Sequence, residues 1–192
     1  MISLVTLLIF LTSLCAIINS IIGVSLNLFT PEHAFIYSFC GFITLFALDA
    51  LLAFIGHKLP KSLIRPTKKI FTVSKKEKLF LEKIGIKKWK DKIPETGELA
   101  GFKKDKMEST NLDYIYKFLE ETVYAEIIHF MMGFSGVLLI PFILLPVVNG
   151  TDLLCFLLPL SIVNLFFNLP SLIIQRYTRY KLLNYYNYKL NH

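Results

Sequence analysis

The chain has 192 residues, 54% of them hydrophobic, with 17 Phe, 9 Tyr and a mean hydropathy of +0.56, which is a membrane-protein composition. Only 18% of residues are charged, yet the net charge is +7. The 21 Lys and Arg are confined to 58–117 and 176–189, and the three cysteines (Cys15, Cys40, Cys155) lie far apart in apolar stretches, which excludes a disulfide framework.

In chain order, about 20 apolar residues are needed to cross a bilayer, and residues 2–29 qualify as a first span. It lacks the basic start of a cleaved signal and is too long for a signal core. Thr30-Pro31-Glu32-His33 is a short polar break. Residues 34–57 form a second span carrying Asp49, an intramembrane acid that could hydrogen-bond Asn164 or Ser161. Residues 58–111 hold a basic loop. Within it, Lys75 to Ile86 reads as a short amphipathic helix with Phe80, Leu81 and Ile84 on one side, ended by Gly85. Trp89, the single tryptophan, stands among Lys87, Lys88, Lys90 and Lys92. Thr110 and Asp113 resemble a capping box for the next helix. A third span runs from about Glu126 to Val148, and a fourth from about Leu153 to Ile174.

The segment 58–117 carries 17 Lys and Arg against 8 Asp and Glu, while the two short connections carry only Glu32 and Asp152. The positive-inside rule makes both basic segments and both termini cytoplasmic. The expected fold is all-α: a polytopic membrane protein with four transmembrane helices and a basic cytoplasmic loop between helices 2 and 3. Its parts are a helical pair (1–57), the loop (58–111), two spans that carry the site (112–175) and a basic, tyrosine-rich interfacial tail (176–192). The basic segments would meet anionic lipid head groups. The charge adjoins spans and no recognition motif accompanies it, so nucleic acid is not an expected partner.

The candidate site is where the charged segment enters the third span. Leu112, Ile115, Leu119, Thr122, Glu126, His129 and Gly133 recur at helical spacing, so one stripe begins apolar and then carries a hydroxyl, a carboxylate and an imidazole. Polar groups on a buried stripe need partners. A carboxylate three residues from a histidine can hold one ring nitrogen and leave the other basic, which suits removal of a proton from an alcohol during acyl transfer. Structural bracing of helices is the competing reading. Glu121 lies about 140° away round the helix. Glu120, Glu121, Glu126, His129 and His57 also raise a metal-dependent intramembrane hydrolase as an alternative, but this stretch supplies too few ligands for a metal site. Arg176 and Arg179, beside Gln175, suit bidentate contacts with carboxylate or phosphate, and Arg179 equally suits a lipid head-group anchor. Asn168 and Pro170 put a polar group and a kink inside the fourth span.

Three collinear motifs carry a family resemblance: Lys88-Trp89-Lys90-Asp91-Lys92-Ile93, then Glu121-Thr122 with Ala125-Glu126 and His129, then Asn168 and Pro170 with Gln175-Arg176-Tyr177 and Arg179. Over roughly residues 59–183 the chain resembles the glycosyl-4,4'-diaponeurosporenoate acyltransferase family of staphyloxanthin-type carotenoid biosynthesis. It departs from the pattern at Tyr124, Thr178 and Tyr180-Lys181. The resemblance implies a membrane acyltransferase that moves a fatty acyl group to a sugar hydroxyl of a membrane glycolipid. It needs no cofactor, its co-substrate being an acyl-coenzyme A or acyl-carrier thioester. On this reading His129 is the base and Glu126 orients it, with Thr122 as a further partner and Glu121 as a third motif position of the catalytic set. Arg176, with Lys90 or Arg179, binds the donor phosphate or a carboxylate. Trp89 is an interfacial lid element, and Gln175 and Asn168 complete the substrate-binding set. The non-enzymatic alternative is a lipid-binding membrane protein.

Overall fold

The computed structural model describes residues 4–27, 30–93, 107, 109–136 and 150–192. Among them every regular element is helical and there is no strand. The uncharged run Leu4–Ser25 forms α1. It closes in a turn at Leu26 and Asn27, and Asn27 takes the left-handed conformation (φ 54°) that asparagine tolerates. Thr30 then caps α2 (Pro31–His57), its Oγ1 accepting from the His33 amide at 3.4 Å. Pro31 fits the first helical position, where its missing N–H costs nothing.

At 27 residues α2 is about 40 Å long. Among the described residues it is the one helix long and apolar enough to cross a membrane. Phe35, Phe39, Ile43, Phe46 and Phe54 all point outwards from it. The third expected span lies partly outside the described residues, since 137–149 are not among them. The helix entering it, α5, is Leu112–Gly133. It is capped by Asn111, whose side chain accepts from the Asp113 amide at 3.1 Å, one residue after the expected Thr110. The last long helix, α6 (Gly150–Leu190), does not stop at Ile174 but continues through the basic, tyrosine-rich stretch. A hydropathy boundary registers the change from apolar to charged side chains, and the helix geometry crosses it unchanged.

The chain divides into two units. The first comprises Met1–Phe54 and Met131–Asn168, and the second Ile55–Phe130 and Leu169–His192. In the first, Asn164 is the hub. Its amide donates to Asp49 Oδ2 (2.9 Å), the Met132 carbonyl (2.9 Å) and Ser135 Oγ (3.1 Å). Asn168, one turn on, donates to the Asn164 side-chain oxygen (2.9 Å) and carbonyl (3.0 Å). Small residues make this approach possible. A Cβ on Gly133 would stand 3.3 Å from Leu165, and one on Gly136 would collide with Ser161.

Among the described residues, the second unit is built on three apolar clusters. Ile115, Phe118 and Leu119 of α5 pack with Leu182. Ile64 and Phe71, from turns of the basic loop, pack with Val123. Leu81, Ile86 and Tyr177 form the third, with Trp89 and Ile173 against it. Burial of each such side chain stabilises the unit by about 1.5–3 kcal/mol. The described stretch of the loop, residues 58–93, is therefore folded, not merely solvated. Its helix α3 (Lys75–Lys83) starts at Ser74, which accepts from the Glu77 amide at 3.1 Å. Gly85, at φ +78°, turns the chain into α4 (Ile86–Trp89), and a 3-10 turn follows at Lys90–Lys92. The expected apolar side of α3 is split. Leu81 is buried, whereas Phe80 and Ile84 are exposed, because the inward face is chosen by the ion pairs of Glu77 and Glu82 as well as by hydrophobicity.

Candidate active site

Three helices of the second unit converge through charge. Arg176 and Arg179 lie three residues apart on α6 and so share a face. Glu126 comes from α5 and Glu77 from α3. Arg176 holds Glu77 in a two-point clamp, with Nε to Oε1 at 2.6 Å and Nη2 to Oε2 at 3.0 Å. Its Nη1 donates to Glu126 Oε1 at 2.6 Å and to the Ile70 carbonyl at 3.4 Å. Arg179 donates from Nη2 to the other Glu126 oxygen and from Nε to the Phe71 carbonyl at 2.9 Å. Its guanidinium also lies 5.7 Å from the Phe71 ring centre.

Arg179 is 1% exposed, so it is a core residue and not a head-group anchor. Among the described residues its Nη1 has no hydrogen-bond partner. Burial lowers its pKa, opposed in part by the Glu126 carboxylate, while its neighbour Arg176 is raised, first by the hydrogen bonds it donates to Glu77 and then by Glu126. Two carboxylates thus balance two guanidiniums. Removing one partner of such a set leaves a buried charge uncompensated.

Glu126 is the shared element. Each of its oxygens accepts from a different arginine, which fixes the carboxylate in orientation. A carboxylate has about four lone-pair sites, so two arginines leave capacity for a further donor. His129, half-buried, is one turn further along α5. The stripe leading to the pair is the packed side of the helix: Ile115, Leu119 and Thr122 are all buried. Thr122 Oγ1 donates to the Leu119 carbonyl at 2.7 Å, so its proton is used within its own helix.

The other expected residues sit elsewhere in the molecule. Glu121 lines a cavity of about 610 Å³ together with Glu120, Tyr116, Tyr124, Lys61 and His57. Across it the His57 and Tyr124 rings are 6.0 Å apart, and Tyr124 Oη donates to the Leu59 carbonyl at 3.2 Å. Trp89 is half-buried against the Leu81–Ile86–Tyr177 cluster. Lys90 pairs with Asp91. Gln175 is half-buried on α6. Asn168 belongs to the first unit and its asparagine network. Among the described residues no group of three or more His, Cys, Asp or Glu could hold a metal ion.

Two residues escaped the sequence reading. Glu77, the clamp on Arg176, looked like one charge in a lysine-rich helix; its rarity was the available signal, since only Glu77 and Glu82 interrupt the basic residues between 58 and 90. Glu82 accepts from Tyr177 Oη at 3.0 Å and pairs with Lys78 and Lys87. The two lysines hold its carboxyl down at about 2, and Tyr177 is pushed up to about 12 by burial and by that same carboxylate.

The model of the glycosyl-4,4'-diaponeurosporenoate acyltransferase family matches residues 60–187, a segment that includes Glu77, Glu126, His129, Arg176 and Arg179. No curated protein and no solved structure gives a match. With two thirds of its length covered by that family's pattern, the chain belongs to the glycosyl-4,4'-diaponeurosporenoate acyltransferase family and is an acyltransferase.

Proposed function

We propose that the chain is a four-span membrane enzyme that moves a fatty acyl group from a thioester donor to a hydroxyl of a membrane glycolipid, such as a glycosylated carotenoid. Both termini and both basic segments face the cytoplasm, which gives the site access to a coenzyme A or acyl-carrier thioester. The observation that carries the reading is the clamped carboxylate: Glu126, held by Arg176 and Arg179 one turn from His129, inside the segment matched by the acyltransferase family.

In this scheme His129 takes the proton of the acceptor hydroxyl as that oxygen attacks the thioester carbonyl. The new C–O bond gives a tetrahedral oxyanion, which collapses with cleavage of the C–S bond. The imidazolium returns its proton to the departing thiolate. Glu126 stabilises the imidazolium electrostatically, and the arginines keep its carboxylate oriented. Arg176 has its Nε and both terminal nitrogens on Glu77 and Glu126, so a donor phosphate binding there would compete with Glu77. That makes Arg176 and Arg179 positioning residues first.

Comparison of lipid extracts from cells with and without the protein tests the proposal. An acylated glycolipid should disappear on deletion while its unacylated form accumulates. Identical lipid profiles would overturn it.

A further inference from the structure

Helix α3 has two faces with different chemistry. Its inward face is fully committed: Leu81 is in the core, Glu77 clamps Arg176, and Glu82 takes Tyr177 and two lysines. Its outward face is apolar and basic at once. Leu79 is 51% exposed, Phe80 60% and Ile84 45%, and at helical spacing they alternate with the exposed Lys76 and Lys83. The turns leading into α3 add exposed Leu63 and Ile70. Large apolar side chains grouped on a surface mark an interaction site.

Charge identifies the partner. Residues 58–93 contain 13 Lys and Arg and only three acids, Glu77, Glu82 and Asp91. All three acids are held in ion pairs with Arg176, Lys78, Lys87 and Lys90. The surface left over is basic, with apolar side chains between the lysines. A helix of this kind lies in the plane of a membrane interface, apolar groups at the acyl boundary and lysines at anionic head groups. Sequence continuity supports it: α2, apolar and long enough to cross a bilayer, ends at His57, 18 residues before Lys75.

We propose that the outward face of α3 docks on an anionic bilayer surface through Leu79, Phe80 and Ile84, with Lys76 and Lys83 at the head groups. Docking then bears directly on the site, because the same short helix carries Glu77, the partner of Arg176, beside that face. The membrane surface and the Glu77–Arg176–Glu126 chain of ion pairs are joined by one element of nine residues.

Nitroxide labels on the full chain test this, with the native cysteines replaced and single labels introduced as Leu79→Cys, Phe80→Cys and Ile84→Cys. All three sites are exposed, so labelling leaves the core intact. In nanodiscs of phosphatidylcholine with phosphatidylglycerol, the labels should collide preferentially with oxygen over a water-soluble nickel chelate. Combining Lys76→Gln with Lys83→Gln, or omitting phosphatidylglycerol, should lower the oxygen-to-nickel collision ratio by about two-fold or more. Labels that prefer the nickel chelate in the anionic discs would overturn the proposal. So would a ratio indifferent to both the lysines and the lipid charge, or spin–spin broadening that puts a second copy of the chain on this face.

Discussion

Two polar clusters, one in each unit, draw on the same helix and solve the same problem differently. In the first unit, Asn164 of α6 donates to one oxygen of Asp49, to Ser135 and to a backbone carbonyl, and Asn168 donates to Asn164, all through amide hydrogen bonds. In the second, Arg176 and Arg179 of α6 satisfy Glu77 and Glu126 through full charges. An amide network loses individual hydrogen bonds when one member is removed. A charge network loses its neutrality, and the remaining ion is stranded in a low-dielectric site. The difference teaches which cluster is suited to chemistry. Amides brace helices, whereas an oriented carboxylate beside a histidine can stabilise a proton that moves.

The contrast is broken or sharpened most strongly by Glu126→Leu. It leaves two guanidiniums facing Glu77 alone and should cost about 3–5 kcal/mol in unfolding measurements, with transfer lost. Asn164→Leu removes the hub of the first cluster and should cost about 1–3 kcal/mol in the same assay. Equal losses for the two variants would erase the distinction drawn between the clusters. Glu121→Gln, at an open cavity and outside both clusters, should change stability by no more than about 0.5 kcal/mol. A large loss there would assign the cavity a structural weight that its geometry does not suggest.

The smallest effect concerns pH. The carboxyl of Glu82 is held at about 2, below its ordinary 4.5, by Lys78 and Lys87. Its contribution to stability is therefore complete above about pH 4.5 and lost as the pH falls towards 2. Glu82→Gln should remove that acid-side slope, seen as a flatter dependence of the unfolding midpoint on pH.

Much of this was legible in the sequence. The apolar runs at 2–29 and 34–57 follow from length and composition, and the amphipathic loop helix and the polar stripe through Glu126 follow from periodicity; both depend only on local sequence. The Asp49–Asn164 contact was foreseeable because an acid in an apolar helix must find a donor. The arginine clamp was not. Glu77 is 99 residues from Arg176, and Arg179 is 53 from Glu126. No local pattern distinguishes a buried arginine from a basic residue at a membrane edge. For the same reason the spacing places Phe80 and Ile84 on one side with Leu81, but the ion pairs decide how the helix is rotated and so which of the three is buried.

The central claim is that His129, beside the clamped Glu126, removes the acceptor proton. The most direct measurement is acyl-transfer turnover by His129→Gln in membranes, alongside circular dichroism to verify its helical content. The account predicts a folded protein with transfer slowed by about 10²–10⁴-fold. A folded His129→Gln enzyme that turns over at the unsubstituted rate would contradict it.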